Sequence, residues 1–246
     1  MTAARLPDGR GILIAGEAAG RASCGALVLA GVVPGGDEAL AAEIADLEAR
    51  LRAEHAGREP SAVPGLREAR ALYKSFGMDP SRHRPSSEAL LRRVLQGKGL
   101  YRLGRVVDAC NLASLSFLLP IGLYDLARIR GSVRLCVGDD GHGYAGIRKD
   151  EVHVGGRLAL YDDEGPFGSP TSDSLRTSTD DGTRDLLAVV MATASYPSAA
   201  MSANLDLLAA LSHRTAFSVG CYCEDEARCH RSILKELFLE RGAVVL

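Results

Sequence analysis

The spacing of apolar residues in the first half of this chain predicts two strands followed by several helices. Short apolar runs at 12–15 and 26–30 flank a Gly- and Ser-containing link and predict two β-strands. A helix capped by Asp37 is predicted next, because apolar residues recur at i, i+4, i+7 and i+11: Leu40, Ile44, Leu47 and Leu51. Further helices are predicted at 66–76, at 86–96 behind Pro85, and from Asp108 to the residue before Pro120.

The second half shows the shorter period that is typical of strands. Alternating runs at 133–137 and 144–148 flank a Gly-rich stretch and predict a hairpin. A strand at 157–161 leads into a polar loop at 162–182, and the apolar run 186–194 predicts a buried strand before a helix at 198–212. Because the order of elements is mixed rather than a repeated strand–helix–strand unit, we expect the α+β class.

The C-terminal stretch predicts a strand at 216–223 and a helix at 226–241, and it is rich in cysteine. Cys221, Cys223, Cys229 and His230 are enough ligands for a zinc ion, but the last two are adjacent, so the spacing makes a metal site the least favoured role. Three roles of this C-terminal stretch stay open: a structural or anion-binding element, a reactive or redox thiol, and a metal site. The stretch also resembles the end of a family of small bacterial proteins of unknown function.

Length and charge exclude several classes of protein. The 246 residues, 46% apolar, suffice for a core without disulfides, and 29 basic against 31 acidic residues exclude a chain held to nucleic acid by bulk charge. Polar residues after 194 argue against a membrane span at 186–205, and the first residues lack a secretory apolar run. We expect a cytoplasmic protein with free thiols and no membrane partner.

The charge is unevenly distributed. Residues 66–105 hold ten basic and three acidic residues, a net charge of +7, which leaves −9 elsewhere. Four aromatic rings lie between these basic residues: Tyr73, Phe76, His83 and Tyr101. Proteins that bind single-stranded RNA ends combine these residue types, because the cations contact phosphates and the rings stack on bases. The alternative is a solvated face enriched in arginine by a GC-rich coding bias. We predict RNA contacts for Arg92, Arg93, Lys98 and Arg102.

Several ordered motifs between residues 65 and 194 resemble one known domain. They are Ser-Phe-Gly-Met-Asp-Pro at 75–80, Arg-Pro-Ser-Ser-Glu-Ala-Leu-Leu-Arg-Arg at 84–93, Val-Asp-x-x-Asn at 107–111 and Leu-Pro-x-Gly-x-Tyr-Asp-Leu at 119–126. The chain is similar to the B3/B4 domain, the editing module of the bacterial phenylalanyl-tRNA synthetase beta chain, which also occurs as stand-alone proteins. The resemblance implies a mixed β-sandwich with flanking helices over 1–212, with 213–246 as a strand–helix appendage packed on the same domain.

The resemblance also implies a function, which is hydrolysis of misacylated aminoacyl-tRNA in trans, with the tRNA 3′ end as partner and no cofactor. Of the synthetase motif, Asn111 is retained, whereas Cys110 replaces a Thr and Gly122 stands where the synthetase has a His. The synthetase Glu that recognises a tyrosine hydroxyl corresponds to a position near Val189. A pocket without that Glu has no polar group with which to prefer tyrosine.

The hydroxyl-rich stretch 165–177 resembles a loop of the stand-alone members. Polar loops of this length commonly bind ligands, although a loop that caps itself is the alternative. We predict catalytic roles for Asn111 and for Asp173, which could orient a water or an amino group, while Arg176 could take a phosphate or carboxylate. The predicted substrate-binding residues are Arg84, Ser87, Glu88, Tyr124, Ser169, Thr171, Ser174 and Arg176.

Three hypotheses of function follow. We favour an aminoacyl-tRNA deacylase or RNA-end binder, and the alternatives are a small-molecule module that reuses an amino-acid pocket and a redox or metal role of the Cys-rich tail. Asp108 is interpreted as a helix cap rather than a catalytic acid. The sequence does not specify the amino acid, the tRNA or the oligomeric state.

Overall fold

The computed structural model describes residues 3–32, 35, 38–147 and 151–211. Within these ranges the chain forms ten β-strands and five α-helices, which agrees with the predicted α+β class. In chain order the elements are β1 (Ala3–Arg5), β2 (Gly11–Ile14), β3 (Ala22–Leu29), α1 (Glu38–Glu54), α2 (Arg67–Ser75), α3 (Ser86–Leu95), α4 (Arg105–Phe117), β4 (Ile121–Asp125), β5 (Val133–Val137), β6 (Gly143–Ala145), β7 (Glu151–His153), β8 (Leu158–Asp162), β9 (Gly165–Gly168), β10 (Leu186–Thr193) and α5 (Ser198–Ala210).

The described strands form two larger sheets and a two-stranded ribbon. The first sheet has the order β1-β2-β5-β8-β9, with β2 and β5 parallel and the other neighbours antiparallel. The second sheet has the order β3-β10-β4 and is antiparallel throughout. β6 and β7 pair only with each other. Strand β4 is therefore an edge strand whose outer backbone groups are available to other partners.

The two larger sheets pack face to face, and helices cover the outer face of the smaller one. Leu187, Val189 and Met191 of β10 share a core cluster with side chains of β2, β5, β8 and β9. Leu186 and Ala188, on the other face of β10, pack with residues of α4 and α5. Because both faces of β10 are covered, all eight of its residues are buried, and its sequence is a continuous apolar run.

The helix predictions are confirmed with small shifts at the ends. Helix α1 buries the four residues that the spacing predicts and packs on α3 and α4. Helix α4 begins at Arg105, three residues earlier than predicted. Asp108 lies in its first turn, and its Oδ1 accepts the N–H of Leu103 at 3.0 Å. Asp108 is therefore a capping residue, but one inside the helix rather than before it.

The predicted hairpin of 133–137 and 144–148 is wrong. Strand β5 pairs with β2 and β8, whereas β6 pairs with β7. After β5 the N–H of Gly138 donates to the carbonyl of Arg157 at 2.8 Å, so the chain stays bonded to the start of β8. Alternation identifies a strand and its buried face, but it does not identify the neighbouring strand.

The stretch 162–182 is not one loop, since β9 lies within it and pairs with β8. Its sequence, Gly-Pro-Phe-Gly, contains no β-branched residue, and Pro166 is tolerated because β9 is an edge strand. The sequence pattern also fails to predict β1, β4 and β7, which are three to five residues long and too short for a periodic signal.

The predicted tail strand at 216–223 and tail helix at 226–241 lie outside the described residues, as do Cys221, Cys223, Cys229 and His230. The division of the chain at residue 212 stays a prediction. None of the helices in the described ranges is long and apolar enough to cross a membrane. Within the same ranges no group of three or more potential metal ligands is found, and Cys24, Cys110 and Cys136 are free thiols.

Candidate active site around Asp173

The hydroxyl-rich loop that follows β9, residues 169–177, is a fixed turn. The N–H of Ser174 donates to the carbonyl of Phe167 at 2.9 Å, so the loop returns to the strand it leaves. Inside the turn, Ser169 Oγ accepts the N–H groups of Thr171 and Ser172, each at 3.3 Å. The loop thus caps itself as one alternative expects, and this holds its remaining side chains in place.

Two buried tyrosines from distant parts of the chain tie this loop down. The hydroxyl of Tyr73 on α2 is 2.7 Å from Thr171 Oγ1, and the hydroxyl of Tyr144 on β6 donates to the Ser172 carbonyl at 2.5 Å. Tyr144 also lies 3.0 Å from Ser169 Oγ. Burial raises the pKa of both tyrosines, so they stay neutral. The sequence gives no sign of this role, because each tyrosine occupies an ordinary core position of its element.

Asp173 places a carboxyl group between the loop and β4. Its Oδ2 accepts the N–H of Leu123 at 3.3 Å, while its Oδ1 is closed to solvent and has no hydrogen-bond partner. The residue as a whole is only partly buried, so the shielding concerns the carboxyl end. Burial raises the pKa of Asp173 to about 7, although the nearby Tyr124 hydroxyl and the Leu123 N–H partly offset the rise. A carboxyl group that titrates there can both take and give a proton at neutral pH.

The hydroxyl of Tyr124 occupies a space that two glycines leave open. A Cβ atom at Gly122 on β4 or at Gly168 on β9 would clash with it. The ring packs edge-on against Phe167 with centroids 4.9 Å apart. The hydroxyl is buried and forms no hydrogen bond of good geometry within the described structure. Burial raises its pKa, and the negative charge of Asp173 raises it further. A histidine at Gly122, as in the synthetase motif, would therefore displace Tyr124.

Helix α4 contributes a thiol to the surroundings of Asp173. Cys110 is buried, and burial together with the Asp173 charge raises its pKa to about 12. The thiol is therefore protonated and unsuited to act as a nucleophile. Asn111, predicted to be catalytic, follows on the same helix and is partly buried, and no hydrogen bond in the described structure joins its side chain to Asp173 or to the loop.

The start of α3 adjoins the loop and carries positive charge. The N–H of Ser86 donates to the carbonyl of Pro170 at 3.3 Å. The buried Glu88 carboxylate lies 2.6 Å from Arg70 Nη1 and 3.7 Å from Arg84 Nε. One carboxylate thus faces two guanidinium groups, and Arg70 in addition lies close enough to interact with the Asp79 carboxylate.

Three predicted substrate-binding residues are occupied within the protein. The Ser87 hydroxyl donates to the carbonyl of Leu118 at 3.1 Å, and Ser174 Oγ lies 3.0 Å from Thr177 Oγ1. Arg176 does bind carboxylates, as predicted for a ligand, but they belong to the protein: Asp162 at 2.8 Å and Glu164 at 3.1 Å. This arginine is therefore used to tie the loop to the end of β8 and to β9.

The aromatic rings in the basic stretch 66–105 differ in their exposure to solvent. Tyr73 and Phe76 are buried, at 1% and 5% exposure, so they cannot stack on a nucleotide. Tyr101 is 47% exposed, and the guanidinium of Arg93 lies 3.7 Å from its ring centroid. Burial therefore excludes two of the four predicted rings as stacking positions, while His83 is partly buried and Tyr101 forms an exposed pair with Arg93.

A cavity of about 110 Å³ lies apart from Asp173, at the N-terminal end of α4. Its wall includes Val32, Leu103, Val107, Asp181 and Leu186. Arg105 and Asp180 line it as well, and none of the predicted site residues does.

Comparisons with known proteins give two similarities. A family model described as DUF488-N3a, "Active DUF488-N3 subclade", matches residues 193–242, about a fifth of the chain, beginning at the last residue of β10. An N-terminal fragment of the phenylalanyl-tRNA synthetase beta-subunit from Pyrococcus horikoshii is similar in structure, with a TM-score of 0.45 and 11% identity. That match covers 85% of this chain and 50% of the synthetase fragment, so the chain spans about half the length of that structure. No curated protein matches the sequence significantly.

Proposed function

We propose that the chain binds the 3′ end of an aminoacyl-tRNA and hydrolyses the ester that joins the amino acid to the terminal ribose. The observation that carries the proposal is the carboxyl group of Asp173, which titrates near neutral pH in a site shielded from solvent. A general base works best when its pKa lies near the working pH, because it is then both present as the base and strong enough to take a proton.

In the proposed reaction Asp173 handles one proton. Its carboxylate takes a proton from a water molecule as the water oxygen attacks the ester carbonyl carbon. The carbon–oxygen bond to the ribose then breaks, and the leaving ribose oxygen takes the proton back from Asp173. The products are the free amino acid and the tRNA hydroxyl, and the carboxylate is regenerated.

The start of α3 supplies the charge that the substrate needs. Arg70 and Arg84 both face the carboxylate of Glu88, and the guanidinium of Arg84, 3.7 Å from it, is the group that would attract the phosphates of an RNA end. The Arg84 side chain is 38% exposed, and Ser86, two residues further on, is bonded to the loop. This supports Arg84 as a phosphate contact beside the loop that carries Asp173.

A panel of aminoacylated tRNAs tests the proposal. Wild-type protein should release amino acid from at least one member faster than buffer does, and Asp173→Asn should lose most of that release, because the amide cannot take a proton. General-base catalysis contributes roughly 10²–10⁴-fold, which sets the expected loss. Asp140→Asn is the matched control, since Asp140 is exposed and lies outside the loop.

A second candidate, binding of an amino-acid-like small molecule without hydrolysis, has its own observation. Val189 is fully buried in the core between the sheets, and Gly122 has no room for a side chain, so two groups of the synthetase site are absent for structural reasons. If no tRNA is deacylated, a melting-temperature screen against free amino acids distinguishes this candidate, because a ligand of the native state raises the midpoint.

A further inference from the structure

The last turn of α3 and the segment after it carry a group of aromatic and cationic side chains at the surface. We call this surface the basic strip, and it comprises Arg92, Arg93, Lys98, Tyr101, Arg102 and Leu103. Tyr101 and Leu103 are 47% and 49% exposed, among the most exposed large apolar side chains of the described structure. Such side chains beside cations suit a partner that is both flat and negatively charged.

The geometry of the strip is fixed at its centre. Arg93 lies over Tyr101 at 3.7 Å and donates through Nη2 to the Lys98 carbonyl at 3.4 Å. The turn after α3 is held in addition by Leu100, whose N–H donates to Glu48 Oε1 at 2.7 Å. The ring is therefore presented in one orientation while nearly half of its residue surface stays open, as a stacking platform requires.

The cations of the strip differ from the arginines around the Asp173 loop in their ion pairs. Throughout the described ranges, no carboxylate forms an ion pair with Arg92, Arg93, Lys98 or Arg102. This differs from Arg70 and Arg176, whose guanidinium groups are paired with buried carboxylates. Four uncompensated cations on one short stretch give a local field that favours a polyanion.

The strip lies at a defined distance from the loop. Ser86 contacts the loop through Pro170, and Arg93 follows seven residues later on the same helix. At about 1.5 Å per residue this is about 10 Å along the helix axis. Nucleotides stacked at about 3.4 Å cover that distance in about three steps, the length of the unpaired CCA end of a tRNA.

We infer that the basic strip is the binding platform for a single-stranded RNA 3′ end, in which an unpaired base stacks on the Arg93–Tyr101 pair while Arg92, Lys98 and Arg102 contact phosphates. The direction of the strand, with its 3′ end along α3 toward Asp173, rests on the proposed function. The binding itself does not, because stacking and phosphate pairing need no ester.

Fluorescence anisotropy with a short labelled RNA that ends in CCA tests the platform without any hydrolysis. Tyr101→Ala should weaken binding by about tenfold, and Tyr101→Phe should bind like wild type, because stacking needs the ring rather than the hydroxyl. Arg93→Gln should weaken binding and make the dependence of binding on salt concentration shallower. Arg134 is an exposed arginine on β5, and Arg134→Gln, as the control, should change the affinity and the salt dependence much less.

The outcomes separate the platform from the proposed reaction. Asp173→Asn should bind RNA like wild type while losing hydrolysis. If the wild type binds RNA with the expected Tyr101 dependence but deacylates nothing, the platform stands and the proposed reaction fails. If Tyr101→Ala and Tyr101→Phe bind equally, or if a duplex of equal charge binds as tightly as the single strand, the stacking platform is wrong even where hydrolysis is observed.

Discussion

The loop around Asp173 and the basic strip at the end of α3 use similar residue types, but the fold places them in opposite surroundings. Around Asp173 the tyrosines are buried, the serine and threonine hydroxyls are bonded, and a carboxyl oxygen is closed to solvent. On the strip a tyrosine is exposed, and among the residues that the structure describes the four cations form no ion pair with a carboxylate. Burial changes the proton affinity of a group, whereas exposure leaves it as charge and contact surface. We therefore propose that the loop carries the reaction and that the strip binds the RNA.

The same substitution in the two regions should give the largest contrast. Tyr73→Ala removes a ring that is 1% exposed together with its bond to Thr171, so the free energy of unfolding should fall by about 3–5 kcal/mol. Tyr101→Ala removes a 47% exposed ring and should cost no more than about 1 kcal/mol, the value of an exposed cation–π contact. Urea denaturation measures both, and equal losses would remove the distinction between the regions.

The next largest effect on the free energy of unfolding should come from the titration of Asp173. Its carboxyl group loses its proton near pH 3.8 in the unfolded chain and near pH 7 in the native protein, so the native state binds more protons in between. The free energy of unfolding should therefore fall as the pH rises from about 4 to about 7, by an amount on the order of a few kcal/mol.

Replacement of the carboxyl group isolates this contribution. Asp173→Asn should flatten the pH dependence, because the amide does not titrate, and Asp140→Asn should keep the wild-type dependence. Denaturant titrations at several pH values between 4 and 8 measure the slope. A variant at Asp173 that retains the full wild-type slope would show that this carboxyl group is not the titrating one.

Close packing at Tyr124 should give a smaller loss. Gly168→Ala brings a Cβ atom against the Tyr124 hydroxyl and should destabilise the protein by about 1–3 kcal/mol. Gly20→Ala is the matched control, since a Cβ atom there meets no heavy atom within 4 Å. The double variant Gly168→Ala with Tyr124→Phe should recover little of the loss in thermal unfolding, because Cζ and Cε1 of the ring would still lie 2.6 and 2.8 Å from the new Cβ atom. A Gly168→Ala variant as stable as Gly20→Ala would contradict close packing at this position.

Removal of one cation from the strip should have the smallest effect on stability. Arg102 is exposed and donates to the carbonyl of Ala41 at 3.2 Å, so Arg102→Gln should change the free energy of unfolding by less than about 0.5 kcal/mol. The same change should make the salt dependence of RNA binding shallower by about 0.7 in the log–log slope. An unchanged slope would place Arg102 outside the RNA contact.

The sequence predicts much of the fold because helical spacing and continuous apolar runs report burial directly. The four buried residues of α1 and the fully buried β10 are examples. Strand partners were not predictable, since β5 and β6 each pair with strands that alternation cannot identify. The hydroxyl-rich loop was recognisable from composition. Its anchors Tyr73 and Tyr144 were not, because contacts between distant segments leave no local pattern.

Composition also could not distinguish arginines that form ion pairs within the protein from arginines that lie at the surface. Arg176 and Arg93 are the same residue type, yet one is paired with Asp162 and the other lies on an exposed ring. The raised pKa of Asp173 depends on closure of its Oδ1 by the packing of β4 against the loop, which only the folded chain reveals.

The pH dependence of aminoacyl-tRNA deacylation, measured in single turnover with the best substrate of the panel, tests the central claim most directly. If Asp173 is the base, the rate of the wild type should rise with pH and level off above an apparent pKa near 7, and Asp173→Asn should be slow at every pH. A rate that does not depend on pH between 6 and 8, or an Asp173→Asn variant as fast as wild type, would contradict the assignment of this carboxyl group to catalysis.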